Sequence, residues 1–501
     1  MNKRSLFYLI SFIEGASVMA TEIIGAKLLA PLFGSSLYVW SSVMALTLGG
    51  LAAGYFFGGR ISQKENSKRI LFFTFFVAGI FIIAIPVILN FLSPLAFSMN
   101  LMLAVIICSA AILLPAVFCM GMISPLIIQN ISTEKDGGKR AGEIYAISTL
   151  GGIIATFLTG FYLIPIIGLT FPLFIFGFLM IACSLVYFGV KNGKTLLLVS
   201  LLIAASSFLV AAKNEDVKNV IYKSEGLLGK LEVLETHWDM DSTRRGENHR
   251  ILLINNIIQT WTETTTKKSY LDYVDQIEEV AIQIKKDRPK ALILGLGGGA
   301  VANMLTEKGF DVTCVELDTR IAFVAKKYFA LSDKVKVIED DARHAIERMD
   351  EKFDFVLVDL FNGEVTPSHV LSNESFERLK KITTDSTLVL FNTYGYCKVP
   401  AGLGNLALLN TIKKSGYNYT IGWTGEINKE DFRNFVVVSS RTWLPTLTKE
   451  FTEKIDLNGA ELITDDKPVL EFLNAKAAKR WRYYYLKSFI PGRDNAYPEE
   501  K

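Results

Sequence analysis

Residue types that bind metals are scarce in this chain. Among 501 residues there are 5 cysteines and 4 histidines. No two cysteines have the spacing of a metal site or of a disulfide framework, and the histidines are scattered through the second half. The sequence therefore predicts no bound metal and no disulfide scaffold.

An excess of one charge sign is missing as well. The formal net charge is +3, and the sequence contains no concentrated basic stripe. A nucleic-acid partner would need such a stripe, because much of the affinity for nucleic acid comes from contacts to phosphates. We therefore expect no nucleic-acid partner.

What the sequence has in quantity is long apolar runs. The mean hydropathy is +0.32, and the apolar residues are concentrated in residues 1–212. The first run is too long for a cleavable signal peptide and is followed directly by others. We predict a transmembrane α-helical bundle at 1–212, with the lipid bilayer as its partner. Seven stretches are long enough to span a bilayer: 6–32, 37–58, 70–93, 101–129, 144–167, 170–190 and 195–212.

Three charged side chains lie inside the first apolar stretch: Glu14, Glu22 and Lys27. Charges within hydrocarbon are costly and normally face a bundle interior or a polar cavity. Two interpretations stay open. The three residues mark a substrate or proton site, or Glu22 and Lys27 form an internal ion pair that fixes helix packing.

Glycine and proline positions predict how these helices pack. In the second stretch glycine recurs at every fourth residue, at 50, 54 and 58, which lets a neighbouring helix approach closely. Pro115 and Pro125 in the fourth stretch predict a kinked helix or a broken helix that lines a cavity.

The second half reads as an α/β domain. Residues 213–224 are predicted as a polar linker, and 225–285 as a β-hairpin subdomain with Asn255-Asn256 as its turn, followed by a helix at 268–286. Residues 286–501 are predicted as a Rossmann-like domain with a C-terminal tail. That tail mixes cations with aromatics at 479–487, which is typical of a membrane headgroup contact or of an amphipathic surface helix.

The stretch at 291–318 carries the most specific motif. An apolar run predicts a buried parallel strand, and Gly295, Gly297 and Gly299 then form a turn into a helix. The next strand ends in Glu316, at the usual place for a carboxylate that holds two ribose hydroxyls. Glycines let the backbone approach a ligand in front of a helix N-terminus. We therefore predict a nucleoside site.

Polar side chains follow the next three strands of the predicted sheet. Asp340 and Asp341 come after the third strand and either accept from an adenine amine or cap the next helix; both alternatives stay open. Asp359 ends the fourth strand, at the sheet edge that faces the ligand crevice. We predict that Asp359 acts at the reacting carbon, with capping of the next loop as the alternative. Tyr394 follows the fifth strand and is expected to wall the site.

Several of these residues resemble spermidine synthases, the aminopropyltransferases with a methyltransferase-type Rossmann core. The resemblance rests on the hairpin at 253–259, the glycine turn and the acids just described. It implies that Gln259 contacts the nucleoside, Glu316 the ribose and Asp341 the adenine, and that Asp359 is the general base. The membrane half is similar to multi-pass bacterial proteins described as fused transporter-like/spermidine synthase, through 19–22, 30–40 and 54–60.

The sequence departs from that family in the region of the acceptor. Ala300 stands where the family has Asp, Asn362 where it has a second Asp, and Tyr270-Leu271 where it has Tyr-His. A diamine carries two positive charges, so we expect weaker diamine binding. Tyr270, Asn362 and Tyr394 are the candidate acceptor contacts. Ala300 also suggests that the intact donor is accepted.

The resemblance implies an enzyme that binds S-adenosylmethionine or its decarboxylated form and transfers an aminopropyl-type group to a small amine. Two alternatives stay open. One is a polyamine or nucleoside transporter or sensor with a catalytically silent nucleoside-binding domain. The other is an S-adenosylmethionine-dependent methyltransferase. A homodimer is left open too.

The distribution of lysine and arginine predicts the membrane topology. They occupy alternate loops, whereas loops 33–36, 94–100 and 168–169 contain neither. The positive-inside rule then places the N-terminus in the cytoplasm, in the inner membrane. Seven spans would put the second half outside, although sulfonium nucleosides are made in the cytoplasm. Either one span is miscounted, with the fourth as the suspect, or the domain faces outward.

Overall fold

The computed structural model describes most of the chain. Contacts between residues divide it into two compact units, the first made of the N-terminal helices and the second of the strands and helices that follow. The described residues are 3–33, 37–96, 99, 101–133, 136–192, 194–213, 219–226, 228–238, 247–361, 367–398, 401–424, 432–450, 455–467 and 469–489.

The first unit is a bundle of long apolar helices. Helix α4 packs against α1, α2 and α3, while α5 packs against α1 and α7 against α3. The described helices are α1 (Lys3–Phe33), α2 (Leu37–Ile61), α3 (Ser67–Ala96), α4 (Leu101–Ile131), α5 (Gly137–Leu158), a π-helical turn (Thr159–Leu163), α6 (Ile164–Ile167), α7 (Thr170–Asn192) and α8 (Lys194–Lys213).

Each of the seven apolar stretches forms helix. By length and composition, six helical segments of the described chain are long and apolar enough to cross a membrane, and Ser200–Leu209 within α8 is a shorter apolar segment. The suspect fourth stretch is one helix of 31 residues that runs through Pro115 and Pro125, so the broken-helix alternative is wrong.

The predicted packing role of the glycines in α2 is confirmed. A Cβ atom at Gly54 would lie 2.4 Å from the carbonyl oxygen of Phe118, and one at Gly58 would lie 2.7 Å from the Cα of Met122. Both partners belong to α4. Because no side chain separates the two helices there, their backbones come into direct contact.

The charged side chains of α1 lie in different surroundings. Glu14 is 2% exposed, and the Ser148 hydroxyl of α5 donates to its Oε2 over 2.8 Å. Glu22 is partly exposed, and the Lys27 ammonium lies 5.8 Å from the ring centre of Trp40. A functional role for the three charges stays a prediction.

The second unit begins with a four-stranded antiparallel sheet of β1 (Val220–Gly226), β2 (Gly229–Trp238), β3 (Glu247–Ile254) and β4 (Ile257–Glu263). The predicted turn is confirmed, because Asn255 and Asn256 have φ of 50° and 67°, the left-handed conformation of a tight hairpin. The predicted linker is too long, since β1 starts at Val220. Its apolar side chains pair with β2 instead of lying in solvent.

A seven-stranded sheet forms the centre of the second unit. Its order is β10-β11-β9-β8-β5-β6-β7, in which β5 to β9 run parallel and β10 and β11 antiparallel. The strands are β5 (Lys290–Leu294), β6 (Asp311–Glu316), β7 (Lys336–Glu339), β8 (Phe353–Val358), β9 (Thr383–Gly395), β10 (Asn418–Trp423) and β11 (Arg433–Ser440).

Helices cover both faces of this sheet. Apolar side chains of α9 to α11 are buried on one face and those of α12 to α14 on the other, so the domain is the expected Rossmann-like α/β fold. The helices are α9 (Tyr273–Ala281), α10 (Ala300–Glu307), α11 (Thr319–Tyr328), α12 (Ala342–Arg348), α13 (Asn373–Ile382), α14 (Leu403–Lys414), α15 (Leu470–Leu473) and α16 (Ala475–Phe489), with a 3₁₀ turn (Ser368–Val370).

Strand β5 is the switch point of the sheet. It pairs with β6 on one side and with β8 on the other, and the chain leaves these strands toward opposite faces. A crevice opens at the carboxyl ends of parallel strands at such a point. The glycine turn, Glu316 and Asp359 all follow these carboxyl ends.

Candidate active site

The glycine turn is held by the protein's own backbone. Gly295, Gly297 and Gly299 have φ of 95°, 52° and 82°, which disfavour other residues. A Cβ at Gly295 would lie 2.1 Å from the carbonyl oxygen of Asp359. The sequence argument gave ligand approach as the reason for these glycines. The structure shows a close contact between the turn and the strand that carries the predicted base.

Strand β4 reaches the same turn. The Thr260 hydroxyl accepts from the backbone N–H of Gly298 over 2.7 Å. Gln259, the neighbouring residue of β4, is partly exposed. The hairpin subdomain thus brings the predicted nucleoside-contacting glutamine beside the turn, while its contact with a nucleoside stays a prediction.

Glu316 joins β6 to the glycine turn. Its Oε2 accepts from the N–H of Leu296 over 3.0 Å, and its Oε1 from the N–H of Asp318 over 2.9 Å. Burial raises the pKa of this carboxyl to about 7, although the backbone donors oppose the rise. Because a carboxylate has about four acceptor positions, Glu316 has further capacity to accept ribose hydroxyls.

The two acids after β7 have different partners. Asp341 caps α12, since its Oδ1 accepts from the N–H groups of Arg343 and His344 over 2.9 and 3.1 Å. Its Oδ2 lies 3.3 Å from His369 Nε2. Asp340 lies 2.7 Å from His344 Nδ1. The capping alternative is therefore confirmed for Asp341, and an adenine contact by either acid stays a prediction.

Asp359 is the acid at the centre of the sheet edge. Its Oδ2 accepts from the Tyr273 hydroxyl over 3.1 Å and its Oδ1 from the Asn392 amide over 2.9 Å. The Asn434 amide in turn donates to Asn392 over 3.2 Å. Burial raises the pKa of the Asp359 carboxyl, and the two hydrogen bonds oppose that rise. The side chain remains partly exposed, so a substrate proton can reach it.

Tyr273 is a site residue that the sequence argument missed. Tyr270, the predicted acceptor contact, instead stacks on His249 with ring centres 4.5 Å apart, and its hydroxyl donates to Glu247. The helix predicted from residue 268 begins only at Tyr273. That later start puts Tyr273, and not Tyr270, in the first turn facing Asp359.

Aromatic rings continue from Asp359 along the acceptor side. The ring centres of Phe361 and Tyr394 lie 6.0 Å apart, and Trp481 stacks on Tyr394 at 4.6 Å. Tyr394 is only 1% exposed, so it lies beneath the surface that the sequence argument assigned to it. Asn362, the remaining predicted acceptor contact, lies outside the described residues.

In the part of the chain that the structure describes, no group of three or more His, Cys, Asp or Glu side chains is arranged to hold a metal ion. The five cysteines are all buried and none forms a disulfide. The chemistry of the site must therefore be argued from Asp359 and the groups around it.

Comparison with known proteins identifies relatives of the second unit. A polyamine aminopropyltransferase of Vibrio vulnificus is 29% identical over 188 residues, which cover 36% of this chain and 59% of that protein. Polyamine aminopropyltransferase 2 of Aquifex aeolicus is 22% identical over 428 residues, 81% of this chain and 82% of its own length. A probable spermidine synthase structure from Corynebacterium glutamicum covers 47% of this chain and 93% of its own, at 17% identity and a TM-score of 0.40. Residues 271–394, from just before α9 to the end of β9, match the spermine/spermidine synthase domain.

Proposed function

We propose that the second unit is a transferase that moves an aminopropyl-type group from an S-adenosyl sulfonium donor to an amine. The observation that carries this proposal is Asp359, held by Tyr273 and Asn392 at the switch point of the sheet, directly beside the glycine turn. The match of residues 271–394 to the spermine/spermidine synthase domain supports the same reaction class.

The donor class follows from the nucleoside-side residues. Glu316 supplies acceptor capacity for ribose hydroxyls beside the glycine turn, and β4 presents Gln259 on the other side of that turn. The donor is S-adenosylmethionine or its decarboxylated form. Ala300 opens α10 with a methyl group, so no carboxylate at that position repels the carboxylate of an intact donor.

Asp359 provides the proton acceptor for the reaction. It takes a proton from the attacking amine, which leaves the nitrogen lone pair available. That lone pair forms the new C–N bond while the C–S bond breaks, and the C–S electron pair returns to sulfur as a neutral thioether. Because the sulfonium charge already makes the leaving group good, positioning of the amine supplies much of the rate.

Product identification tests this reaction. The purified full-length protein is given each donor together with a panel of amines, and the nucleoside products are identified. Aminopropyl transfer releases methylthioadenosine from the decarboxylated donor, whereas methyl transfer releases S-adenosylhomocysteine from S-adenosylmethionine. Release of S-adenosylhomocysteine alone would replace the proposal by a methyltransferase.

Asp359→Asn separates an enzyme from a catalytically silent binding module. Asparagine keeps the shape of the side chain but cannot take the proton, so turnover falls while nucleoside affinity stays. Asp385→Asn, an exposed acid far along β9, is the matched control. Equal product formation by wild type and Asp359→Asn would remove Asp359 from the mechanism.

We also propose that the first unit spans the inner membrane with the N-terminus in the cytoplasm. Six helices have the required length and apolarity, and the α2–α3 connection carries the basic residues of the positive-inside pattern. Donor chemistry favours a cytoplasmic second unit, which needs an even number of spans and leaves α8 outside the count.

Single introduced cysteines test this topology, because the native cysteines are buried. Asn66→Cys reports on the α2–α3 connection and Asp333→Cys on the second unit; both positions are exposed. We expect a membrane-impermeant maleimide added to intact cells to label neither. Labelling of Asp333→Cys alone would place the second unit outside and count α8 as a span.

A further inference from the structure

The C-terminal helix α16 is part of the active-site unit. The sequence suggested a membrane headgroup contact or an ordinary surface helix for this segment. The structure instead packs α16 against β4, the strand of Gln259, and against β9, the strand of Asn392. The helix lies outside residues 271–394, which match the synthase domain. It is therefore an addition of this chain to the matched core.

Close contact fixes α16 at the carboxyl end of β9. Ala477 is fully buried, and a Cβ at Gly395 would lie 3.1 Å from the Cβ of Ala477. Arg482, one and a half turns further along, is 5% exposed. These contacts give the helix a defined position from which Trp481 projects.

Trp481 lies over the residues that continue from the proposed base. Phe361 is two residues beyond Asp359, and Tyr394 is two residues beyond Asn392, the amide partner of Asp359. Residues two apart on a strand share a face, so this aromatic surface extends from the acid. Trp481 stacks on Tyr394 at 4.6 Å and covers it, while Trp481 itself is partly exposed.

We propose that Trp481 forms the acceptor-side wall of the active site and selects an amine with one cationic group on an apolar body. This inference rests on the proposed function, because it names the acceptor class of that transfer. The indole face offers apolar contact to the carbon chain of the amine. Tyr394, predicted as the contact residue, supports Trp481 from beneath.

The charge beside this wall argues for a single cationic group. The Arg480 guanidinium lies 5.2 Å from the ring centre of Phe432 and donates to the Tyr396 hydroxyl over 3.0 Å. Phe432 in turn lies 5.9 Å from Trp481. A second ammonium at the far end of the acceptor would meet this positive charge, and like charges repel.

Calorimetric titration of amines into the full-length protein in detergent tests this assignment. The protein is first saturated with methylthioadenosine, so that amine binding is measured without turnover. The probes are n-butylamine and putrescine, which have equal chain length and differ by one ammonium group. The variants are Trp481→Ala, Trp481→Phe and, as matched control, Phe472→Ala, which removes an aromatic ring that is 71% exposed on α15.

We expect Trp481→Ala to weaken butylamine binding about tenfold or more, and Trp481→Phe about threefold or less, since a phenyl ring keeps most of the apolar surface. Methylthioadenosine affinity stays unchanged in both variants, which shows that they are folded. Phe472→Ala binds butylamine as the wild type does, and wild type binds putrescine no more tightly than butylamine.

Three results would overturn the assignment: wild-type butylamine affinity in Trp481→Ala, tighter binding of putrescine than of butylamine, or no amine binding by the wild type. Failure of the proposed function looks different. In that case amine binding depends on Trp481, yet the decarboxylated donor and the same amine release no methylthioadenosine.

Discussion

At Asp359, burial and hydrogen bonding act on one carboxyl in opposite directions. Burial raises its pKa, and the donors Tyr273 and Asn392 stabilise the charged form and lower it. A general base must be deprotonated, so these two donors extend activity to lower pH. They also hold the carboxylate toward the glycine turn.

Removing one donor should therefore move the pH dependence of turnover. Tyr273→Phe takes away the hydrogen bond to the charged form, so the pKa of Asp359 rises. We expect the acidic limb of the kcat profile to shift to higher pH by about one unit, which corresponds to about 1.4 kcal/mol. Tyr270→Phe is the control, since its hydroxyl contacts Glu247. An unchanged limb in Tyr273→Phe would contradict the account.

Glu316 gives a second pH dependence, this time in binding. Its pKa of about 7 means that the carboxylate form, which accepts ribose hydroxyls, predominates only above neutrality. With that pKa, about one tenth of the protein is competent at pH 6 and about nine tenths at pH 8, so we expect nucleoside affinity to fall about tenfold between pH 8 and pH 6. Calorimetry across this range measures it. A dependence of equal size in Glu316→Gln would assign it to another group.

The sequence reveals residues at the ends of strands better than residues that meet across the fold. Glu316 and Asp359 each follow an apolar run, so the sheet edge places them without further information. Tyr273 contacts Asp359 from 86 positions away, and its role depends on where α9 begins. Trp481 lies further away still, on a helix whose packing no local pattern shows.

At the scale of elements, the glycine turn and β8 form one close-packed contact. Gly295 has a φ of 95°, and any Cβ there meets the carbonyl oxygen of Asp359. The turn and the base are therefore positioned by each other. A substitution in the turn should disturb both nucleoside binding and the position of the carboxylate.

Gly295→Ala and Gly416→Ala make a matched pair for this contact. Both glycines have positive φ, at 95° and 84°, but nothing lies within 4 Å of a Cβ at Gly416. We expect Gly416→Ala to cost about 1 kcal/mol of stability and Gly295→Ala about 3 kcal/mol or more, because it adds a backbone clash to the same strain. Thermal unfolding in detergent compares them. Equal unfolding temperatures would mean that the contact does not constrain the turn.

Elements with a clear apolar period were predicted, and those without one were not. Strands β5 to β9 follow apolar runs, and the turn between β3 and β4 follows from Asn255-Asn256. Strand β10, at the edge of the sheet, has polar residues at several positions and was missed. Helix α13 was also missed although its signals are present: Ser372 caps it, and Phe376 and Leu379 are buried at helical spacing.

At the scale of the whole molecule, a helical unit precedes a unit whose residues 271–394 match the spermine/spermidine synthase domain. Composition predicted this division, since the apolar runs end near residue 212. Composition could not predict that the polar stretch after it contains β1, or that the C-terminal segment returns to the active site. Both depend on contacts between residues that are distant in sequence.

The central claim is that one site separates donor binding, by Glu316 and the glycine turn, from proton transfer, by Asp359. Calorimetric binding at pH 8 of S-adenosylmethionine, its decarboxylated form and methylthioadenosine to the full-length protein tests it most directly. The account predicts binding to wild type and to Asp359→Asn, and loss of binding in Glu316→Ala. Absence of binding to all three nucleosides, or loss in Asp359→Asn with retention in Glu316→Ala, would contradict it.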